Sequence, residues 1–194
     1  MHSKLSHTLS FAPGPAPITL YLSALDVPGY WLSESFRCLR LFAAFMGLQV
    51  LLIAVGYELS PEQSGLVVFW PAAGLLCGMV GSTPTRTWPL WLLATAIQIP
   101  LGFSLASCAE ALVFAGLIRS PLQQSYLLNR PLYLLAAFAG VSLFATAVGG
   151  LVGAAVAVLN FGGGVFWESW RVWVASDFLG IIIVAPAIGW LLLP

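Results

Sequence analysis

Apolar residues run along this chain in long blocks, separated by short segments rich in Pro, Gly, Ser, Thr or charge. A membrane-crossing helix needs about 20 consecutive apolar residues, so each block is a candidate span. The first runs from about Phe36 to Tyr57, with Arg37 and Arg40 at its start and Glu58 and Glu62 after its end. The second opens on Ser60-Pro61-Glu62-Gln63. This has the form of a capping box with proline at the first helical position, and the helix is expected to reach about Gly81. Pro71 falls in its middle, where a proline frees a carbonyl one turn back and predicts a kink. Gly74 and Gly78 follow as a GxxxG pair.

After the Thr83–Thr87 loop, Trp88-Pro89 opens a third helix that ends near Pro100, and a fourth covers about Phe103 to Ile118. At roughly 15 residues each, both are short of the usual 17 to 25. They read as thin, tilted spans or as a re-entrant hairpin, and either returns the chain to the side it left. A fifth helix from Pro131 to Asn160 would be about 45 Å long, more than the bilayer core, so it must tilt or break at Gly149-Gly150. Ala145, Gly149, Gly153 and Ala157 recur every fourth position along it, a stripe that lets another helix come close; the alternative is a small lipid-facing surface. Gly162-Gly163-Gly164 makes a turn, and a sixth helix runs from Phe166 to Leu193 with Pro186 bending its last third. Residues 1–34, with Pro13, Pro15, Pro17 and Pro28, are expected to form a flexible polar tail ahead of a transmembrane domain over 35–194. The fold expected is all-α: a polytopic membrane helix bundle of about six transmembrane helices.

Composition agrees. The chain is 60% hydrophobic and 7% charged, with a mean hydropathy of +0.96, whereas soluble domains are about 25% charged. The formal net charge is zero, so nothing favours nucleic acid as a partner. Cys38, Cys77 and Cys108 lie in apolar surroundings, and the histidines are His2 and His7. No spacing of these residues suits a metal, and no metal or cofactor is expected. Basic residues favour the cytoplasmic side. With both termini inside and six crossings, Lys4, Arg37, Arg40, Arg86, Arg119 and Arg130 all fall there, and only Arg171 falls outside. Trp31, Trp88, Trp167 and Trp190 then sit near the two interfaces.

Two acids lie inside expected spans, Glu110 and Asp177. A charge at mid-membrane costs about 2.5–3.5 kcal/mol on insertion scales, so such residues face a partner or a wet cavity. They read as a ligand, ion or proton site, or else as carboxyl groups that bond backbone freed by Pro71 or Pro186. No intramembrane Lys, Arg or His is available to pair with them. Trp170, Trp173, Asp177, Gly180 and Val184 follow spacings of three and four and share a helix face. An acid flanked by indoles suits a cationic or aromatic ligand; the plainer reading makes the tryptophans interface markers and Gly180 a packing contact. Catalysis has little support, since nucleophile–base pair, phosphate loop and metal motif are all missing from the sequence.

From Phe36 to Leu193 the chain resembles the first membrane-associated sensor (MASE) family of bacterial signalling proteins. The resemblance is carried by Phe69-Trp70-Pro71-Ala72-Ala73-Gly74, Trp88-Pro89, Glu110 within Ala109-Glu110-Ala111-Leu112, Arg119, and the run Trp170, Trp173, Asp177, Leu179-Gly180, Val184-Ala185-Pro186. It departs from the family where Trp-Pro-Pro-Ala-Gly becomes Trp70-Pro71-Ala72-Ala73-Gly74, and where Ser107 replaces the usual Asn. The resemblance implies a non-enzymatic sensory input module of the bacterial inner membrane. Its partners would be the lipid bilayer, an unknown small ligand and a cytoplasmic output domain in cis or in trans: a diguanylate cyclase, a cyclic-di-GMP phosphodiesterase or a histidine kinase. A homodimer is compatible with that role. Glu110, Asp177, Trp173, Trp170 and Trp70 would form the ligand site, and Pro71, Gly74, Gly78, Gly149, Gly153, Gly180 and Pro186 would shape the helix packing around it. The chain is also similar in size and helix number to the substrate-binding subunit of energy-coupling-factor vitamin transporters. A membrane assembly protein without a ligand is the third reading.

Overall fold

A computed structural model describes residues 28–60, 69–123, 130–161 and 165–192. Six α-helices are seen: α1 (Pro28–Glu58), α2 (Pro71–Ser82), α3 (Trp88–Gln98), α4 (Leu101–Gln123), α5 (Pro131–Phe161) and α6 (Phe166–Leu192), with one 3-10 turn at Thr85–Thr87 before α3. The described residues are all-α, without strands. Contacts divide the chain after Leu41, and the packing below concerns Phe42 onward.

Among the described residues, four helical stretches are long and apolar enough to cross a bilayer: Cys38–Glu58, Leu101–Arg119, Pro131–Asn160 and Phe166–Leu192. These helices make a multi-pass membrane protein of the chain. Their exposed side chains are those that lipid would cover, such as Leu105, Leu135, Phe144 and Ile183, each more than half exposed. Six crossings are not shown among the described residues, where α2 and α3 have 12 and 11 residues. At 1.5 Å per residue they are about 17 Å long, roughly half the hydrocarbon thickness.

Three helices begin elsewhere than the sequence suggests. α1 begins at Pro28 rather than near Phe36, because proline is well tolerated in the first turn of a helix; residues 28–34, placed above in the tail, are therefore helical. The rest of that tail, 1–27, lies outside the described residues, as does the segment of the capping box after Ser60. Ser60 itself donates its hydroxyl to Gly56 O at 2.7 Å, finishing α1. Pro71 does not kink a long helix. It is the first residue of α2, preceded by non-helical Trp70 at φ −119°, ψ 79°. The missing proline N–H is one that a first turn leaves unbonded in any case. α4 begins at Leu101 and is 23 residues long, so it is a full-length span. α5 is unbroken at Gly149-Gly150 over its 31 residues.

α2 and α6 form one of the most extensive contacts, as do α4 with α5 and α5 with α6. α2 and α6 run parallel. Trp70 N–H donates to Ser176 O at 3.2 Å, Gly74 lies on Gly180 and Val184, Gly78 on Ala185 and Ile188, and Ser82 on Gly189. α2 thus starts beside the middle of α6 and ends beside its C-terminal turns. Only glycine fits at the crossing. A β-carbon on Gly180 would overlap the Trp70 carbonyl, and one on Gly74 would overlap the Gly180 carbonyl.

α1 is attached more lightly. Phe42 and Phe45 pack on Trp91 of α3, with ring centroids 6.4 and 5.2 Å away. Gln49, 1% exposed, donates to Thr95 Oγ1 at 2.9 Å. The turn before α3 is tied to the end of α4: Arg119 donates to Thr83 O at 2.6 Å and lies 4.7 Å above the Trp88 ring.

Candidate functional site

Small residues on α5 bring the acids to the centre of the bundle. α4 and α5 close until Glu110 rests on bare backbone: a β-carbon at Gly149 would come 2.7 Å from Glu110 Cβ and 2.9 Å from its Oε2. One turn on, a β-carbon at Gly153 would come 2.5 Å from the Trp173 ring. Ala145 is fully buried and Ala157 half-buried. The stripe on α5 is therefore a floor for groups on α4 and α6.

Glu110 is 0% and Asp177 2% exposed. Glu110 stands midway along Leu101–Arg119, and Asp177 near the middle of Phe166–Leu192. Their carboxyl groups face one another. Ser176 Oγ lies 3.0 Å from Asp177 Oδ1 and 3.1 Å from Trp173 O, so its one proton serves one of them at a time. The Trp173 indole nitrogen faces Glu110 without closing a hydrogen bond. Its ring stacks on Phe103, centroids 5.7 Å apart and 18° from parallel. Both Glu110 oxygens, Asp177 Oδ2 and Trp173 Nε1 are buried with no hydrogen-bond partner. Such orphans are rare, and each calls for an explanation. None of the described arginines acts on either acid. Cys77 on α2, fully buried, is close enough to feel both acids.

The opening of α2 completes the surroundings. Backbone at Phe69-Trp70 is non-helical, which membrane interiors tolerate only where protein or a wet cavity covers it. Here the Trp70 N–H is satisfied by Ser176 O, and Trp70 O accepts from Ala73 N–H at 3.2 Å. The positive end of a half-length helix therefore lies against the stretch of α6 that carries Asp177.

Of the five expected ligand residues, Glu110, Asp177 and Trp173 come together. Trp170 points to α5, where its indole N–H donates to Ala147 O at 2.9 Å and its ring covers Gly150. The Trp70 ring turns to the end of α1, edge-on to Tyr57 at 5.5 Å and against Gly56; its backbone, not its ring, meets α6. Ser176 and Cys77 were not singled out from the sequence. Ser176 carries a signal there, as a hydroxyl next to a membrane acid, whereas Cys77 carries none. Among the described residues no cluster suited to a metal ion is present.

Comparison with protein-family models, with curated proteins and with solved structures gave no match.

Proposed function

We propose that this chain is the membrane-embedded sensory input module of a bacterial signalling protein, lying in the inner membrane with both ends in the cytoplasm. The observation that carries it is the buried contact between Glu110 and Asp177. Two acids placed at mid-span, with no basic partner and with unbonded oxygens, are expensive to keep, and they join α4 to α6. A ligand that binds them changes the free energy of that contact. A two-state protein responds to a ligand only through such a difference between states. α6 then passes the change to an output domain or partner, as the resemblance to membrane-associated sensors implies.

One test is the output of a fusion of residues 1–194 to a cyclase or kinase domain. Asp177→Asn and Glu110→Gln keep size and remove charge, so each is expected to alter signalling while the purified protein stays folded. Normal output from both variants would remove the acids from the function.

A second reading rests on α2. Broken helices that begin at mid-depth, with their positive ends near the site, are a feature of transporters. This favours the substrate-binding subunit of an energy-coupling-factor transporter as the alternative. Co-purification with an ATPase module, in place of a signalling domain, would establish it.

A further inference from the structure

The groups around Glu110 and Asp177 can hold one negative charge and have nothing for a second. Ser176 Oγ sits 3.0 Å from Asp177 Oδ1, the Trp173 indole N–H faces Glu110, and the N-terminal end of α2 lies against Ser176 and Gly180. Against these stand three acceptor oxygens without a donor, Glu110 Oε1, Glu110 Oε2 and Asp177 Oδ2. Two facing carboxylates repel strongly in a medium of low dielectric. Among the described residues, the other titratable group facing them is Cys77 of α2, a thiol that brings no positive charge. α5, which lies against Glu110 through Gly149, carries no carboxylate, base or thiol over Pro131–Phe161, and its tyrosine, Tyr133, is exposed at the start of the helix. On α4, Cys108 is turned away to Leu92 O.

We propose that the pair holds a single proton, shared as carboxylic acid and carboxylate, and that this proton is the ligand of the site. The deduction rests on the reading of Glu110 and Asp177 as the functional site and names what they bind. With the proton in place, one carboxyl donates to the other, and Trp173 N–H and Ser176 O–H are left to solvate the remaining charge. On release the O–H bond breaks heterolytically, the proton passes to water, and both electrons stay on the carboxylate. Two like charges then face each other across α4 and α6, and the contact loosens. Raising the pH therefore drives the pair toward the separated state, and lowering it closes the contact. The two carboxyls titrate as one coupled unit.

The test uses the whole chain, purified in lipid nanodiscs. Infrared spectroscopy at neutral pH should show a protonated carboxyl stretch that shifts in heavy water and disappears in both Glu110→Gln and Asp177→Asn. Thermal melting should fall in midpoint as pH rises in the natural sequence. It should be flat with pH in Glu110→Gln, whose amide N–H supplies Asp177 with a donor that cannot ionise. If Glu110→Gln does not fold, Asp177→Asn gives the same comparison. Absence of the band from the natural protein, or its persistence in both variants, would overturn the shared proton. So would a melting midpoint that ignores pH. Altered output in the fusion assay with no protonated band would sink the proton while leaving the sensor reading standing, because the spectroscopic readout does not pass through signalling.

Discussion

Glycine sets the distances at which the helices meet, and it does so at some positions and not at others. At Gly180 an added methyl group would overlap the Trp70 carbonyl, whereas at Gly47, Gly116 and Gly140 it would meet nothing within 4 Å. Gly180→Ala is therefore expected to lower stability by about 1–3 kcal/mol, the range for overpacking. Gly116→Ala, in the same assay, should leave it unchanged. Detergent melting of the two variants checks this, and equal losses would mean that the α2–α6 crossing is looser than described. Trp173→Phe separates packing from hydrogen bonding. The ring still covers Gly153 and stacks on Phe103, but the indole N–H is lost. Because that N–H faces Glu110 without closing a hydrogen bond, a decrease no larger than the roughly 0.5–1.5 kcal/mol of a made bond is expected, and a loss above about 3 kcal/mol would mean that ring packing, not the polar group, had been disturbed. Sequence spacing alone points to Gly149 and Gly153, since small residues every fourth position form a stripe. It does not reveal that Trp173 lies on that stripe and Trp170 beside it, on Gly150, because a shared face on α6 does not say which neighbour the face meets.

The long apolar helices are the easiest elements to read. α5 and α6 start at Pro131 and Phe166 as expected, and end within a residue of the expected places, because apolar runs of such length have few alternatives. α2 and α4 were harder for opposite reasons. Proline at position 71 is compatible with a kink or with a helix start, and only the tertiary bond from Trp70 to Ser176 decides between them. Arg119 ends the apolar span, yet α4 continues to Gln123, and the Arg119 guanidinium reaches back to Thr83 O and the Trp88 face. This anchor joins α4 to the turn before α3. Arg119→Ala should cost about 1.5–3 kcal/mol, the value of a hydrogen bond to a charged group, less what solvent supplies at this half-buried site. Arg119→Lys, which lacks the planar fork, should recover only part of it. Melting midpoints of the two variants decide: equal stability of natural protein and Arg119→Ala would reduce the anchor to a surface contact. α1 depends least on its neighbours. Among the described residues Gln49 and Thr95 join it to α3, as does the Gln98 amide on Met46 Sδ, and Gln49→Leu should cost no more than about 1–2 kcal/mol, as for interhelical bonds in membranes.

At the scale of the molecule, the parallel course of α2 and α6 fixes sidedness. Ser82 lies against Gly189, so the turn carrying Arg86 and the last residues of α6 leave the bundle at the same end. Single cysteines replacing Arg86 and Trp190, in a chain without its natural cysteines, should be labelled from the same side of a sealed vesicle. Labelling from opposite sides would contradict the fold. The positive-inside rule expects Arg86, Arg119 and Arg130 on one side, and the bond from Arg119 to Thr83 O brings the end of α4 to the turn that carries Arg86. The half-length of α2 was not legible, because hydropathy measures apolar length and cannot see where a helix begins. The distance along the chain between the two acids has a consequence during synthesis. Asp177 follows Glu110 by roughly 70 residues, and at about 5–20 residues per second a ribosome takes roughly 3–14 s to add them. Throughout that interval α4 enters the bilayer with its acid unmatched. A nascent chain halted after α5 should remain loosely held at the insertion machinery and open to quality-control proteases, until α6 arrives and lets the bundle close.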